Sequence, residues 1–167
     1  VDTGWLKKVL KEVKKDNIIV PFGHEPAFTC NTFHPVCLDA NENSRNKFWS
    51  LLEEYSIDYY FCGHTHQYNH CTITHDGKTI HQIVSGGGGG FLQPKRGGIQ
   101  NPDGYKVEPI DLKSETGYVL VNVSDRSLST KWISIYDEDV KNKPMHQRKN
   151  RPEGRATVSY THLRAHE

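Results

Sequence analysis

The sequence predicts an α/β fold in which helices pack on a β-sheet, and the order of its apolar patterns carries that prediction. Within residues 1–62, an amphipathic helical pattern twice precedes a short apolar run typical of a strand. Two pairs of strand-like segments follow, each joined by a turn signal. Alternation of helix and strand favours a sheet covered by helices, whereas consecutive strands favour antiparallel pairing. The chain should therefore begin as α/β and end in antiparallel hairpins.

The first helix is predicted from apolar residues at helical spacing, with lysines on the opposite face. These apolar residues are Leu6, Val9, Leu10 and Val13. Thr3 lies where an N-cap hydroxyl would accept a backbone hydrogen bond. We expect the helix to end at Asp16 or Asn17, and Ile18–Val20 to form a short buried strand.

The second helix is predicted over Glu42–Tyr55, where the same spacing recurs. Its apolar face consists of Phe48, Leu51, Leu52 and Tyr55. Ile57–Cys62 is rich in apolar and aromatic residues, and this composition predicts a second strand directly after the helix. The second unit thus repeats the helix–strand order of the first.

The hairpins are predicted from turn signals between strand-like segments. Cys71–His75 and Lys78–Val84 flank Asp76-Gly77, a dipeptide that favours a two-residue hairpin turn. Tyr118–Val123 and Leu128–Tyr136 form the second pair around a short polar turn. The second half of the chain is therefore expected to consist mostly of antiparallel strands.

The chain is long enough for one domain, and its charge divides it into two parts. Residues 141–167 carry seven basic and two acidic side chains, whereas residues 1–140 carry 14 basic and 18 acidic ones. We predict a folded domain over 1–140 and a basic, disordered tail over 141–167, of which 158–167 is foreign to the fold. The acidic body argues against nucleic acid as a binding partner. No apolar run approaches the ~20 residues of a transmembrane helix.

The four cysteines are too few for a disulfide scaffold, and the absence of a CxxC pair argues against a cysteine zinc site. Two interpretations of them stay open. Cys30 and Cys37 form a disulfide across one loop if the protein is exported, or the cysteines are free buried thiols.

Two short histidine motifs each follow a predicted strand: Gly23-His24-Glu25-Pro26 and Gly63-His64-Thr65-His66. Functional groups of α/β sheets cluster beyond the carboxyl ends of strands, and neutral imidazole is a common metal ligand. One such motif alone is typical of a surface or core histidine. Two in matching positions predict a metal site formed by His24, His64 and His66. Across a tight turn, the last two side chains can splay toward two different metals.

The paired motifs resemble those of the calcineurin-like metallophosphoesterases. The likeness rests on GHEP at residues 23–26, on GHTH at residues 63–66 with Tyr68 after it, and on the helix between them. It extends to the glycine-rich turn in Ile83–Gly87 and covers roughly residues 3–92. The resemblance implies the C-terminal half of an α/β/β/α sandwich. It also implies a hydrolase of phosphomonoesters or phosphodiesters that acts on its phosphate-ester substrate through two metal ions.

The resemblance further implies a role for each histidine. In this family, the first motif and the first histidine of the second motif bind one metal, which implies His24 and His64 here. His66 would then bind the other metal, and no catalytic residue beyond these ligands is implied. Two such cations clamp the phosphate oxygens and lower the pKa of a bridging water. Mn, Fe and Zn all suit histidine ligands.

The family's other metal ligands come from Asp-x-His, Gly-Asp and Gly-Asn-His motifs, and none of these precedes His24 here. We therefore expect the chain to be a fragment that supplies histidine ligands to a full-length parent and is itself inactive. The alternative is a non-catalytic metal- or ligand-binding module with an incomplete site. The resemblance slightly favours an extracytoplasmic location for the parent.

Further residues around these motifs are candidates for contacts with a ligating imidazole or with substrate: Glu25, His34, Gly86 and Gly87. Glu25 either hydrogen-bonds a metal-binding histidine or is solvated, and His34 either reaches substrate or lies exposed in its loop. The run Gly86–Gly90 either presents backbone N–H groups to phosphate or serves as a flexible strand exit. A loop rich in proline and glycine follows, which we expect to reach about Pro109.

Overall fold

The computed structural model describes residues 1–13, 17–31, 37–95, 97–124 and 127–135. Its helices are α1 (Thr3–Glu12) and α2 (Glu42–Glu54), with a short 3₁₀ turn at Leu38–Ala40. Its strands are β1 (Tyr59–Cys62), β2 (Tyr68–His75), β3 (Lys78–Ser85), β4 (Lys106–Lys113), β5 (Gly117–Ser124) and β6 (Ser127–Ser134). His34 and the predicted tail at residues 141–167 lie outside the described residues, so the predictions made for them remain predictions.

Helix α1 begins one residue earlier and ends sooner than the sequence suggests. The N-cap is Asp2 instead of Thr3, because the Asp2 carboxylate accepts the Trp5 N–H at 2.9 Å and Thr3 is already helical. The helix ends at Glu12, and the predicted end at Asp16 or Asn17 is wrong, because the backbone of Val13 is extended. Leu10 is the buried residue of this helix, and it packs in the core beneath the sheet.

Helix α2 confirms its prediction almost residue for residue. The side-chain oxygen of Asn41 accepts the Ser44 N–H at 3.0 Å, which satisfies one of the free donors in the first helical turn. Phe48, Leu51 and Leu52 are buried as expected, and Trp49 is fully buried beside them. This apolar face fixes the helix against the sheet.

The central sheet has four strands in the order β1-β3-β2-β4. Strands β2 and β3 pair antiparallel over their whole length, from Tyr68 opposite Ser85 to His75 opposite Lys78. Asp76 and Gly77 form the predicted turn with positive φ values of 47° and 74°, the conformation that an Asp-Gly hairpin turn requires. Strand β1 is parallel to β3. It starts at Tyr59, two residues after the predicted start.

The prediction of a strand at Ile18–Val20 is wrong, and Pro21 explains why. Ile18–Val20 forms no strand, and of the residues between 17 and 23 only Phe22 forms a bridge, opposite Phe61 of β1. The flanking hydrogen bonds are Phe61 N–H to the Pro21 carbonyl at 3.1 Å and Gly23 N–H to the Phe61 carbonyl at 2.9 Å. Extending this parallel ladder toward the N-terminus would require an N–H at residue 21. Proline has none, so the ladder stops there.

Strand β4 occupies part of the stretch predicted as a loop reaching about Pro109, and that prediction is wrong from Lys106 onward. Pro109 lies opposite Cys71, next to a register shift between His70 and Cys71. Because β4 pairs with β2 at the edge of the sheet, a residue without an N–H is tolerated there.

The two faces of the sheet bury separate apolar clusters. One cluster lies with the helices and includes Phe28, Trp49, Leu52 and Ile73. On the other face, the predicted hairpin of β5 and β6 packs its own side chains against the sheet, and Trp132 stacks on Tyr68 with ring centroids 4.5 Å apart. Neither helix among the described residues combines the length and apolar character that crossing a bilayer demands.

The cysteines are free and buried, which agrees with the second of the two interpretations. The Cys30 thiol contacts Cys71 rather than bridging to Cys37, and hydrogen bonds from Cys71 and Asn69 lower the Cys30 pKa against the effect of burial. Burial, together with the nearby carboxylates of Asp39 and Glu25, raises the pKa of Cys37 to about 12.

Candidate metal centre

The two histidine motifs meet because they leave neighbouring, parallel backbone segments. The first follows Phe22, which bridges to Phe61 in β1, and the second follows the end of β1 at Cys62. The Gly63 N–H then donates to the His24 carbonyl at 3.0 Å, which ties one loop to the other. The two loops therefore lie side by side just beyond the end of β1.

His24 and His64 are in direct contact. The His64 Nδ1 and the His24 Nε2 lie 3.1 Å apart, and the two rings meet edge-on at 87° with centroids 5.0 Å apart. His24 is exposed and His64 is partly buried. Two imidazole nitrogens on one tetrahedral Zn²⁺ lie about 3.3 Å apart. The pair therefore has nearly the spacing that a shared metal ion requires.

The GHTH segment forms two successive tight turns, one centred on each histidine. The Thr65 N–H donates to the Gly63 carbonyl at 2.7 Å, and the Gln67 N–H donates to the Thr65 carbonyl at 2.8 Å. These are γ-turns, in which the hydrogen bond spans three residues. His64 has a φ of +65°, a strained conformation for a residue with a side chain. The segment is thus turned rather than extended, as splayed side chains require.

His66 is held by the loop that follows β3. Its Nδ1 is 3.0 Å from the Phe91 carbonyl. A carbonyl only accepts, so Nδ1 carries the hydrogen and Nε2 carries the lone pair of the neutral ring. A hydrogen bond from one ring nitrogen to a backbone carbonyl is the usual way in which a metal-binding histidine is oriented.

Gln93 forms two hydrogen bonds with the backbone of His66. Its side-chain oxygen accepts the His66 N–H at 3.2 Å, and its own N–H donates to the His66 carbonyl at 3.0 Å. The Ser114 hydroxyl in turn donates to the Gln93 carbonyl at 2.7 Å. Sequence reasoning missed Gln93, because nothing near it in the chain signals a partner 27 residues away.

Glycines leave room where the site is tightest. A Cβ on Gly23 would lie 2.2 Å from the Tyr60 hydroxyl oxygen, and a Cβ on Gly86 would lie 1.9 Å from the Thr65 carbonyl oxygen. The Tyr60 hydroxyl donates to the Glu25 carbonyl at 2.6 Å. Glu25 is thus anchored through its backbone, and the predicted contact of its carboxylate with an imidazole stays a prediction.

The predicted anion-binding role of the glycine run is not supported at Gly86. Its N–H donates to the Gln67 carbonyl at 2.9 Å, so the hydrogen atom is already used to close the GHTH turn. Gly87 accepts from the Gly117 N–H at 3.3 Å, which joins the run to β5. A contact of Gly87 with substrate stays a prediction.

The residues fit a metal centre in part. Among the described residues, no group of three or more His, Cys, Asp or Glu side chains is placed to hold a metal ion. His24 and His64 supply two facing nitrogens. The His66 ring is oriented by its hydrogen bond to the Phe91 carbonyl. The structure brings His24 and His64 into contact, and a metal site formed by all three histidines stays a prediction.

Comparison with known proteins places these motifs in a family context. Residues 2–68, which contain both histidine motifs, match the model of the calcineurin-like phosphoesterases. The resemblance inferred from the sequence is confirmed over this part of the chain. The family in general hydrolyses phosphoesters at binuclear metal centres. No curated protein is similar enough in sequence to match the chain.

Two solved structures share the fold. Purple acid phosphatase PPD1 from yellow lupin (Lupinus luteus) superposes with a TM-score of 0.62 at 17% identity over 78% of this chain. GAP50, the anchor in the inner membrane complex of Plasmodium, gives a TM-score of 0.59 at 19% identity over 79% of it. The chain spans only 25% and 37% of their respective lengths. They confirm the predicted fold class, a mixed α/β arrangement ending in antiparallel hairpins.

Proposed function

We propose that this chain supplies histidine ligands to the binuclear metal centre of a hydrolase that acts on phosphomonoesters or phosphodiesters. The observation that carries the proposal is the 3.1 Å contact between His64 Nδ1 and His24 Nε2. It joins the two motifs that the phosphoesterase family model covers. Both rings lie in loops, and His24 is exposed to solvent.

Each histidine has a distinct role in this proposal. His24 and His64 hold one metal, and their nitrogens need to separate by only about 0.2 Å to share a tetrahedral ion. His66 presents Nε2 to the second metal, because the Phe91 carbonyl binds Nδ1. When bound, two Mn, Fe or Zn ions would polarise the phosphoester and activate water for attack. The remaining ligands, including the bridging carboxylate, come in this proposal from a longer parent protein.

The first test measures metal binding to the chain itself. Zn²⁺ or Mn²⁺ is titrated into metal-free protein by calorimetry, with wild type compared to His24→Asn and His64→Asn. We expect each substitution to weaken binding at least about tenfold. The matched control is His75→Asn. His75 lies at the end of β2 and hydrogen-bonds Glu53 of α2, so its removal should leave the metal affinity within twofold. Unchanged affinity together with an unchanged number of bound ions per chain in both loop variants would refute the proposal.

The second test uses the full-length parent. Hydrolysis of p-nitrophenyl phosphate and of bis-p-nitrophenyl phosphate distinguishes monoesterase from diesterase activity. His64→Ala and His66→Ala should each lower turnover by more than about tenfold. Turnover within twofold of wild type in both variants would remove the catalytic assignment.

A second candidate function is a non-catalytic metal- or ligand-binding module. It is favoured by the lack of a three-ligand group among the described residues, and by the similar fold of a protein described as an anchor in a membrane complex. Metal stoichiometry separates the two functions. The enzyme requires two ions per full-length chain, whereas the module binds one or none.

A further inference from the structure

A second pair of histidines lies on the sheet itself, away from the histidine loops. His70 is on β2 and His81 is on β3, diagonally across the strand pair. The His70 Nε2 and the His81 Nδ1 are 2.8 Å apart, with ring centroids 5.1 Å apart and an interplanar angle of 48°. Both side chains are partly buried. The pair is held by the paired backbones of two eight-residue strands.

The pair belongs to a polar row that crosses all four strands of the sheet. Asp111 lies opposite His70 on β4, and Tyr59 lies opposite His81 on β1. The Tyr59 and His81 rings stack at 16° with centroids 4.8 Å apart. This stacking fixes the plane of the His81 ring. Asp111 in turn contacts Lys113 at 3.1 Å, so its carboxylate is held near the row.

The surroundings keep both rings neutral, the form in which imidazole binds metals. Burial, together with the neighbouring His81, lowers the pKa of His70 to about 4. Burial also lowers the pKa of His81. The Asp111 carboxylate raises the pKa of His70 and the Asp58 carboxylate raises that of His81, but burial outweighs both effects.

We propose that His70 and His81 form a binding site for a divalent transition metal such as Zn²⁺, separate from the loop histidines. Two nitrogens on one tetrahedral ion lie about 3.3 Å apart, so the pair needs to open by about 0.5 Å. The hydrogen shared between the facing nitrogens moves to the other nitrogen of its own ring, so no net proton is released. Water completes the coordination, since the described residues supply no third protein ligand.

The test titrates Zn²⁺ into metal-free chain carrying His24→Asn and His64→Asn, so that the loop pair does not contribute. We expect His81→Asn, added to this background, to lower Zn²⁺ affinity about tenfold or more. His75→Asn in the same background is the control and should change it by less than twofold. Equal affinity with and without His81→Asn would overturn the proposal. The outcome does not depend on metal binding by the loops.

A footprint on the wild-type chain covers the case in which His81→Asn does not fold. Diethylpyrocarbonate acylates accessible neutral imidazoles, and mass spectrometry reads each histidine separately. We expect Zn²⁺ to reduce modification of His70 and His81 several-fold while His75 is unaffected. Equal modification of the pair with and without Zn²⁺ would overturn the site. Protection of His24 and His64 reports independently on the proposed function.

Discussion

Gln82 holds the backbone of Phe28 from both sides. Its side-chain oxygen accepts the Phe28 N–H at 3.0 Å, and its side-chain nitrogen donates to the Phe28 carbonyl at 2.9 Å. The same oxygen accepts the Ala27 N–H at 2.8 Å. Gln82 is fully buried on β3, so these bonds fix the segment that follows His24. The first histidine loop is therefore positioned by a strand 54 residues away.

Gln82→Met should destabilise the chain strongly. Methionine keeps the volume but leaves two N–H donors and one carbonyl buried without partners, and each such group costs ~1–3 kcal/mol. We expect a loss of about 3 kcal/mol in the free energy of unfolding. Urea denaturation followed by tryptophan fluorescence measures it. A loss below about 0.5 kcal/mol would show that the Gln82 bonds do not hold the loop.

Gln67→Met provides the matched opposite case. Gln67 is also fully buried, but neither its side-chain oxygen nor its nitrogen has a hydrogen-bond partner among the described residues. Replacing an unpaired amide by an apolar group of similar shape removes its desolvation penalty. We expect the free energy of unfolding to rise by about 1 kcal/mol. A loss similar to that of Gln82→Met would instead reveal a partner for Gln67 beyond the described residues.

The parts of the fold that depend on the spacing of apolar residues and on local turn residues were predictable from the sequence. Helix α2, the Asp76-Gly77 hairpin and the β5–β6 hairpin follow from local spacing and turn chemistry, and the structure has all three. The failures at Ile18–Val20 and at β4 both concern proline. Pro21 removes a donor that a ladder needs, whereas Pro109 is tolerated because it lies on an edge strand. Only the position in the sheet tells these two cases apart.

The site was predictable only as far as its motifs. The sequence pairs the two motifs, but His24 and His64 meet because Phe22 forms a single bridge beside β1, not because a full strand precedes the first motif. The roles of Gln82 and Gln93 do not follow from the sequence, because each contacts backbone groups far away in the chain. One weak signal existed for Gln82, a polar residue between the apolar Ile80 and Val84 on a strand. A buried amide in such a position requires partners, but the sequence does not name them.

Asp39→Asn should stabilise the chain at neutral pH. Burial raises the pKa of Asp39, although the Thr29 hydroxyl and Arg45 partly oppose this. A carboxyl with a raised pKa binds its proton more tightly in the folded state than in the unfolded state. Its contribution to stability is therefore present at acid pH and is lost as pH rises through the window above its ordinary value of 3.8.

The measurement is the urea midpoint of both proteins at a series of pH values that starts near the ordinary carboxyl pKa of 3.8 and rises to neutral. Wild type should lose stability relative to Asp39→Asn as pH rises. The same measurement is made on Thr29→Val. This substitution removes the hydroxyl that donates to the Asp39 carboxylate, and it should enlarge the loss at neutral pH. Parallel pH profiles for wild type and Asp39→Asn would contradict the direction of the pKa change.

Gly23→Ala should destabilise the first histidine loop through a clash with one identified atom. The added Cβ would lie 2.2 Å from the Tyr60 hydroxyl oxygen and 3.0 Å from the ring carbon that carries it. Tyr60→Phe alone loses the hydrogen bond to the Glu25 carbonyl, at a cost of about 1 kcal/mol. In the double variant Gly23→Ala/Tyr60→Phe, the 2.2 Å contact with the hydroxyl oxygen is absent. We therefore expect the double variant to lose less free energy of unfolding than the two single variants together, by more than about 0.5 kcal/mol. Strict additivity would show that the clash is relieved elsewhere.

Gly90→Ala should disturb His66 without touching its backbone. A Cβ at residue 90 would lie 2.6 Å from both Cε1 and Nδ1 of the His66 ring, so the ring has to move and its bond to the Phe91 carbonyl is strained or lost. Gly88→Ala is the control, because a Cβ there meets no atom within 4 Å.

The readout is the ¹⁵N chemical shift of the His66 ring nitrogens, together with metal affinity of the full-length parent. In Gly90→Ala we expect the tautomer with hydrogen on Nδ1 to lose its preference. Affinity for the second metal should fall about 10–100-fold, as when the oriented hydrogen bond of a metal-binding histidine is removed. Gly88→Ala should match wild type in both measurements. If Gly90→Ala changes the ring shifts but leaves metal affinity intact, the Phe91 carbonyl orients His66 without serving a metal, and the assignment of His66 to the second ion is wrong.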